Sequence, residues 1–386
     1  MKILMASRAI QPVHGYGGME KYVYNLRKHL IEEGIEVYVV TSLPHIREPD
    51  EKTITIPPKV YGKVQALKYN ILCHKMLRYF ETLEYDILHG FGITPWLYLK
   101  RKKKNKKPVV VQLFGNEVFK KSYKSVFGLL EKYYDEILLR KPSIVCIQRA
   151  DAIASIGRSN TNDIINLFGV SAEKIFELPN SVDLDLIKTY IANTKITRED
   201  LRVQDADIVL INVNRLDYHK GVPVVIDALK ILNNELNVKL ILIGTGPQEK
   251  EIKKHVEKLG LSNKVLHFKN VPEDKLFQLY SLADISVTPG LINEGLYLPI
   301  LEAMSVGLAV IATNVCPDNF EVVKEGRNGY LFSPNKPEEI ADAVLRIYDK
   351  MLFKKMGIES KKIVKNYDWS TTARRAIKKY EELAGG

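Results

Sequence analysis

Two glutamates in the second half of the chain are set in an otherwise apolar stretch. Glu294 and Glu302 stand eight positions apart in NEGLYLPILEA (residues 293–303), on either side of Pro299. A buried carboxylate is costly without a partner. Proline suits the first turn of a helix, so the spacing predicts Glu294 in a loop and Glu302 just inside the next helix. Carboxylates accept hydrogen bonds from sugar hydroxyls, so the pair predicts a site for a hydroxyl-rich ligand.

Three further residues of interest follow apolar runs in the same half of the chain. Arg215 and Lys220 lie in RLDYHKG after IVLINVN, and Gly246 lies in the turn TGPQE after LILIG. Cations and the amides of a helix N-terminus bind phosphate, and a glycine turn lets backbone approach a ligand. With the two acids, this set predicts a nucleoside diphosphate that carries a sugar. Taken singly, each has a simpler explanation as a surface cation, a tight turn or an acid that complements a helix dipole.

The hydrophobic pattern predicts the elements that position these residues. Short runs rich in Val and Ile alternate with longer amphipathic stretches, first from KILMAS (2–7) to ADAIASIG (150–157) and again from DIVLINVN (207–214) to LAVIATN (308–314). Wholly apolar strands between helices are typical of a parallel sheet covered on both faces. Two rounds predict an α/β protein with two doubly wound, Rossmann-like domains. Such sheets bind ligands at the carboxyl ends of their strands, where the residues above lie.

The domain boundary is expected in the polar stretch that follows the first round of alternation. We predict a first domain over residues 1–183, a linker region over 184–204 and a second domain over 205–367. The last helix, about residues 368–386, is expected to pack back on the first domain.

Composition excludes several classes of protein. The three cysteines show no CxxC or Cys/His spacing, which fits a reducing compartment and predicts no metal site. Two DxD-like triplets, DLD (183–185) and DAD (205–207), are interpreted as solvated loops. MKILMAS is too short for a signal peptide, and no apolar run approaches the roughly 18 residues of a membrane span. These features predict a cytoplasmic protein that does not cross a membrane.

The net charge of +11 is concentrated in the first half of the chain. Residues 1–180 hold 28 lysines and arginines against 18 acids, whereas residues 181–386 hold 29 against 28. The most basic stretch is WLYLKRKKKNKKP (96–108), with its charge in residues 100–107. It is interpreted either as a helix that ends in lysines or as a contact with anionic lipid at the inner face of a membrane. Nucleic acid is not expected as a partner, because no zinc finger or RNP-like strand is present.

The order of the motifs is similar to that of a known family. NVNRLDYHKG, LILIGTGP, the stretch from VPEDKLFQLY to LAVIATN, and EVVKEGRNGYLFSP resemble the retaining GT-B glycosyltransferases of family 4 (glycosyl transferases group 1). The resemblance spans essentially the whole chain, and the E-x7-E element followed by AMSVG is its most specific part. It implies two Rossmann-like domains that face each other across a deep cleft, the first binding an acceptor and the second a nucleotide-sugar donor.

The resemblance also implies roles for individual residues. Arg215 and Lys220 match the pair that binds the donor diphosphate. Glu294 matches the acid near the donor sugar, and Glu302 matches the acid that binds the ribose hydroxyls. Gly295, Leu296 and Tyr297 match a turn whose amides meet the sugar and phosphate of the donor. Gly17 and Gly18 match a mobile N-terminal loop that approaches the phosphates.

The implied reaction transfers a sugar from a nucleotide diphosphate sugar, UDP- or GDP-linked, to a glycan or lipid-linked acceptor with retention of anomeric configuration. Arg215, Lys220 and Glu294 would be its catalytic residues, and the two cations would stabilise the charge that develops on the leaving diphosphate. The departing phosphate oxygen would take the acceptor's proton on the front face. No metal or other cofactor is then required.

Two positions depart from the family pattern. Phe114, in VVVQLFGNE, stands where the family usually has a histidine that faces the donor sugar, and phenylalanine cannot hydrogen-bond a hydroxyl. Either the donor differs or a neighbour supplies the contact, with Asn116, Glu117 and His89 as candidates. Tyr297 stands where the family often has glycine, and its side chain is expected to narrow the sugar pocket.

Two other functions stay open on the same architecture. A nucleotide-sugar 2-epimerase would bind the same donor without an acceptor. A non-catalytic homologue would hold a nucleotide sugar or an acidic membrane, and Phe114 is the feature that favours it. A nicotinamide dehydrogenase is disfavoured, because SRAIQPVHGYGG (7–18) is not the dinucleotide fingerprint.

Overall fold

The computed structural model describes residues 1–14, 18–60, 65–101, 107–114 and 136–385, which divide into two compact units. The first unit is Met1–Asn180 together with Trp369–Gly386, and the second is Ser181–Asp368. Residues 184–204, expected to form a linker, therefore lie inside the second unit.

The first unit is built on a parallel sheet of seven strands. The strands are β1 (Lys2–Ala6), β2 (Glu36–Ser42), β3 (Thr53–Ile56), β4 (Ile87–Phe91), β5 (Val109–Gln112), β6 (Ala152–Ser155) and β7 (Ile175–Glu177). Their order across the sheet is β3-β2-β1-β4-β5-β6-β7. In this register Ile3 lies beside Val37 on one side and Ile87 on the other. The central strands are buried on both faces, which accounts for their wholly apolar sequences.

Helices cover both faces of this first sheet. They are α1 (Gly18–Glu32), α2 (Gln65–Thr82), α3 (Trp96–Arg101), α4 (Lys141–Arg149), α5 (Arg158–Phe168) and, from the end of the chain, α14 (Trp369–Gly385). One apolar cluster joins the sheet to α2, α3, α4 and α5, and a second joins its other face to α1 and α14. The last helix thus belongs to the core of the first unit.

The second unit repeats the plan with six parallel strands. They are β8 (Ile208–Val213), β9 (Val238–Ile243), β10 (Val265–Phe268), β11 (Ile285–Thr288), β12 (Ala309–Thr313) and β13 (Gly329–Phe332). Their order is β10-β9-β8-β11-β12-β13. The chain runs from β8 to the β10 edge and then returns to β11 beside β8. The loops that leave β8 and β11 therefore diverge at the carboxyl ends of the strands, which is where doubly wound sheets bind ligands.

Eight helices in the described part of the second unit enclose this sheet. They are α6 (Leu184–Ala192), α7 (Val222–Leu232), α8 (Glu249–Lys258), α9 (Glu273–Ser281), α10 (Leu298–Val306), α11 (Asn319–Val322), α12 (Pro337–Asp349) and α13 (Phe353–Val364). α7, α8 and α12 pack on one face, and α6, α9 and α10 pack on the other. The position of α6 explains why the expected linker is part of this unit, because Ile187 is buried in the same cluster as α9 and α10.

The prediction of two doubly wound α/β units is confirmed. The basic segment begins as a helix, since Lys100 and Arg101 form the last turn of α3; residues 102–106 lie outside the described ranges. Asp183, in one DxD-like triplet, caps α6 by accepting a hydrogen bond from the Leu186 N–H at 3.0 Å. No helix in the described ranges is long and apolar enough to cross a bilayer.

Candidate active site

The loops that leave β8 and β11 meet through an ion pair. The loop after β8 ends in a 3₁₀ turn, Tyr218–Lys220, and Lys220 Nζ contacts Glu294 Oε2 in the loop after β11. The backbone fixes the same two loops, because the Leu291 N–H donates to the His219 carbonyl at 2.8 Å. The structure therefore brings together Lys220 and Glu294, which the sequence predicted as parts of one site.

The Glu294 loop takes its shape from Gly295, whose φ of +84° is in the left-handed region. Its N–H donates to Asn293 Oδ1 at 3.0 Å. A residue with a Cβ is strained in this conformation, so glycine is what allows the chain to turn between Glu294 and α10. The turn leads directly into the N-terminus of α10, and the positive end of a helix dipole favours anions.

Arg215 lies near the start of the loop after β8, and its side chain is largely exposed to solvent. Its side chain is 69% exposed, and Nε is 3.7 Å from Asp217 Oδ2. An exposed pair at this distance contributes little free energy. The guanidinium can therefore reorient toward an anionic ligand at small cost.

Glu302 is held inside α10 and is only 6% exposed. The fully buried Tyr280 hydroxyl donates to Glu302 Oε2 at 3.1 Å. Burial and the neighbouring carboxylate raise the pKa of Tyr280 well above its usual value, so the hydroxyl keeps its proton and can donate. Sequence reasoning missed Tyr280, because QLYSLA shows only the apolar spacing of a helix core.

The glycine turn after β9 packs against the turn after β8. The Leu216 N–H donates to the Thr245 carbonyl at 2.9 Å, and an added Cβ on Gly246 would lie 2.2 Å from the Leu216 carbonyl oxygen. Close backbone packing therefore explains Gly246. Its predicted role in donor binding stays a prediction.

Leu296 and Tyr297 both point into the protein. Leu296 joins the apolar cluster around α9 and α10, and Tyr297 is only 5% exposed. The Tyr297 hydroxyl donates to the Ile292 carbonyl at 2.5 Å. This differs from the expectation that the side chain narrows a sugar pocket, because the ring is turned beneath its own loop.

The predicted residues of the first unit are described only in part. Gly18 begins α1, whereas Gly17, Asn116 and Glu117 lie outside the described residues and remain predictions. Phe114 follows β5 half-buried, with its ring 5.1 Å from that of Tyr22 in an edge contact. An aromatic packing role accounts for this residue as well as a ligand contact would.

His89 is fully buried in β4. Its Nδ1 is 2.6 Å from the Tyr380 hydroxyl of α14, and its ring stacks on Phe91 with 4.4 Å between centroids. Burial lowers the pKa of His89 to about 3. A side chain without exposed surface has no face left for a sugar, so its setting favours a structural role.

The parts of the chain that the structure describes show no cluster of metal ligands. They contain no group of three His, Cys, Asp or Glu side chains that could hold an ion.

Comparison with known proteins places the chain in a family. The sequence-family model described as "Glycosyl transferases group 1" matches residues 193–365, and the one described as "Glycosyltransferase Family 4" matches residues 16–186. An uncharacterized glycosyltransferase of Methanocaldococcus jannaschii is 25% identical over 234 residues, which is 59% of each chain. The phosphatidyl-myo-inositol mannosyltransferase of Mycolicibacterium smegmatis is 25% identical over 385 residues, 96% of this chain and 91% of its own.

Solved structures show the same fold over the whole chain. The Anabaena protein HepE in complex with UDP matches with a TM-score of 0.75 at 20% identity, covering 99% of this chain and 100% of that one. Its complex with UDP-glucose matches with a TM-score of 0.73, at the same identity and coverage. The protein belongs to the group 1 glycosyltransferases and has their GT-B fold.

The buried His89 predicts a dependence of stability on pH. Its folded pKa of about 3 lies below the unfolded value of about 6.5, so only the unfolded state binds a proton between these values. The stabilisation is present above about pH 6.5 and is lost as the pH falls toward 3. Between pH 7.5 and 5, wild type should lose about 2 kcal/mol more unfolding free energy than His89→Gln, measured with urea. The exposed control His74→Gln should follow wild type; equal slopes for wild type and His89→Gln would contradict the assignment.

Proposed function

We propose that the protein transfers a hexose from a nucleoside diphosphate sugar to a glycan or lipid-linked acceptor, with retention of anomeric configuration and without a metal ion. The observation that carries the proposal is the Lys220–Glu294 pair at the carboxyl ends of β8 and β11. A cation and an acid in contact at this point match the two ends of such a donor, its phosphates and its sugar hydroxyls.

The donor would take over contacts that the two loops already present. Lys220 and Arg215 would bind the diphosphate, helped by the N-terminus of α10. Glu302, oriented by Tyr280, would accept hydrogen bonds from the ribose hydroxyls. UDP is the first nucleotide to test, because HepE, which shares the fold, was solved with UDP and with UDP-glucose.

Glu294 would change partners when the donor binds. In the free protein its carboxylate and the Lys220 ammonium neutralise each other. A diphosphate offers Lys220 a stronger partner, and the sugar hydroxyls offer donors to the released carboxylate. Binding therefore exchanges one ion pair for two sets of charge-assisted hydrogen bonds.

The same cations would act on the reaction. As the bond from the anomeric carbon to the leaving phosphate oxygen breaks, negative charge grows on the diphosphate, and Lys220 and Arg215 would stabilise it. The acceptor oxygen would bond to the same carbon from the same face, and its proton would pass to the departing phosphate oxygen. The product would keep the configuration of the donor.

Donor binding tests the site directly. Lys220→Ala should weaken UDP binding about tenfold to hundredfold in calorimetric titration, because a charged hydrogen-bond partner of the phosphate is lost. Glu294→Gln should leave UDP affinity unchanged or raise it, since it frees Lys220, but should weaken UDP-glucose relative to UDP. Lys253→Ala, on the exposed face of α8, is the matched control. GDP is titrated in parallel; equal affinities of wild type and Lys220→Ala for both nucleotides would overturn the assignment.

Turnover tests the reaction. With labelled UDP-glucose and extracted membrane lipids or glycans as acceptors, Glu294→Ala and Lys220→Ala should lose at least about a hundredfold in rate while the fold is kept. EDTA should not change the rate of wild type, and the new linkage should have the donor's anomeric configuration by NMR. Loss of activity on chelation, or an inverted product, would contradict the mechanism. Epimerised donor would instead indicate the 2-epimerase, and binding without turnover the non-catalytic homologue favoured by Phe114.

We also propose that the first unit docks on an anionic membrane, where a lipid-linked acceptor would be found. α2 carries two exposed apolar residues one turn apart, Leu67 (46% exposed) and Ile71 (41% exposed). Lys75 and Arg78 are exposed in the following turns. Apolar residues beside cations on one helix suit a headgroup layer with negative charge.

Vesicle co-sedimentation tests this docking. Binding to phosphatidylglycerol vesicles should exceed binding to phosphatidylcholine vesicles. It should also weaken when the salt concentration is raised from about 50 to about 500 mM, which shortens the Debye length roughly threefold. The double change Leu67→Ser with Ile71→Ser should lower binding, whereas Ile358→Ser, an exposed apolar residue of α13, should not. Equal binding to both vesicle types would contradict the proposal.

A further inference from the structure

The loop that presents Glu294 is closed around one aromatic ring. The Tyr297 hydroxyl donates to the Ile292 carbonyl at 2.5 Å. An added Cβ on Gly290 would lie 2.2 Å from that hydroxyl oxygen and 2.5 Å from Cζ of the ring. Only a residue without a side chain fits there, so Gly290 and Tyr297 are matched to each other across the loop.

The same ring contacts the site's cation. Lys220 Nζ is 5.1 Å from the centre of the Tyr297 ring, which is within the range of a cation–π interaction. Lys220 thus has two partners in the free protein, the Glu294 carboxylate and the ring face. The carboxylate can exchange partners when a ligand arrives, but the buried ring cannot leave.

The backbone alone does not fix the position of the ammonium. The turn before α7 packs closely on the loop after β11. An added Cβ on Gly221 of this turn, whose φ is +65°, would lie 2.2 Å from the Pro289 carbonyl oxygen. This contact places the Lys220 Cα. Four rotatable bonds separate that atom from Nζ, and a lysine side chain is otherwise mobile. A partner near Nζ is needed to restrict it.

We propose that Tyr297 is a positioning residue whose ring holds the Lys220 ammonium at the carboxyl ends of β8 and β11 when Glu294 releases it to the donor. This inference rests on the proposed function, in which Lys220 binds the diphosphate. The Tyr297 hydroxyl holds the loop through its hydrogen bond to the Ile292 carbonyl, and the ring face contacts the Lys220 ammonium.

A double-mutant cycle on nucleotide affinity tests whether Tyr297 acts through Lys220. The probe is UDP or GDP, whichever binds wild type more tightly. Tyr297→Leu should weaken binding about fivefold to tenfold in wild type but less than about twofold in Lys220→Ala, because the cation is then absent. Tyr297→Phe should stay within about twofold of wild type, since the ring remains. Equal losses from Tyr297→Leu in both backgrounds would overturn the proposal.

Gly290→Ala gives an independent measurement without altering either partner. The new methyl group should displace the ring and weaken nucleotide binding about as much as Tyr297→Leu does. The double variant Gly290→Ala with Tyr297→Leu should bind nucleotide no more weakly than Tyr297→Leu alone. Unchanged affinity in Gly290→Ala would overturn the proposal. If no nucleotide binds wild type, or Lys220→Ala has no effect, the proposed function fails and this role with it. If Lys220→Ala weakens binding but no coupling is found, only the role of Tyr297 fails.

Discussion

The candidate site depends on one contact, the ion pair between Lys220 and Glu294. It joins the loops of two strands that are far apart in sequence but adjacent in the sheet, β8 and β11. Both charges are partly exposed, so the pair adds little to stability. Its value lies in placing a cation and an acid side by side where a doubly wound sheet binds ligands. In the proposed function, the phosphates of the donor bind Lys220 and its sugar hydroxyls bind Glu294, so that donor binding separates the pair.

Glycines make this contact possible by removing side chains from crowded backbone. Gly221 and Gly246 let neighbouring loops touch through backbone atoms, and Gly295 takes a left-handed turn between Glu294 and α10. Gly290 makes room for the ring of Tyr297. Loops fixed in this way need little rearrangement when charge develops in a reaction, and preorganisation of this kind is a main source of catalysis.

Local patterns predicted most of the framework. The alternation of apolar runs and amphipathic stretches indicated nearly every central strand, such as β2 and β9, because buried parallel strands are wholly apolar. Three of the four edge strands were missed: β3 and β13 are four residues long, and β7 is three. The helix α6 was taken for a linker, since its sequence alone does not show that Ile187 is buried by α9 and α10.

The site was predicted as a set of residue types, but its internal contacts were not. Spacing indicated that Glu302 lies in a helix, yet its partner Tyr280 comes from another helix and gives no local signal. Tyr297 was expected in a sugar pocket because it replaces a glycine, whereas packing beneath Gly290 turns it inward. Such contacts depend on how elements meet in space, which a single sequence does not record.

The most direct test of the account is a crystal structure of the whole chain with UDP-glucose. We expect the diphosphate within about 3 Å of Lys220 Nζ at the carboxyl ends of β8 and β11, the ribose hydroxyls on Glu302, and the Glu294 carboxylate turned from Lys220 to the glucose hydroxyls. The Tyr297 ring should keep its place under Lys220. A nucleotide bound elsewhere, or a Lys220–Glu294 pair that stays closed with the donor present, would contradict the central claim.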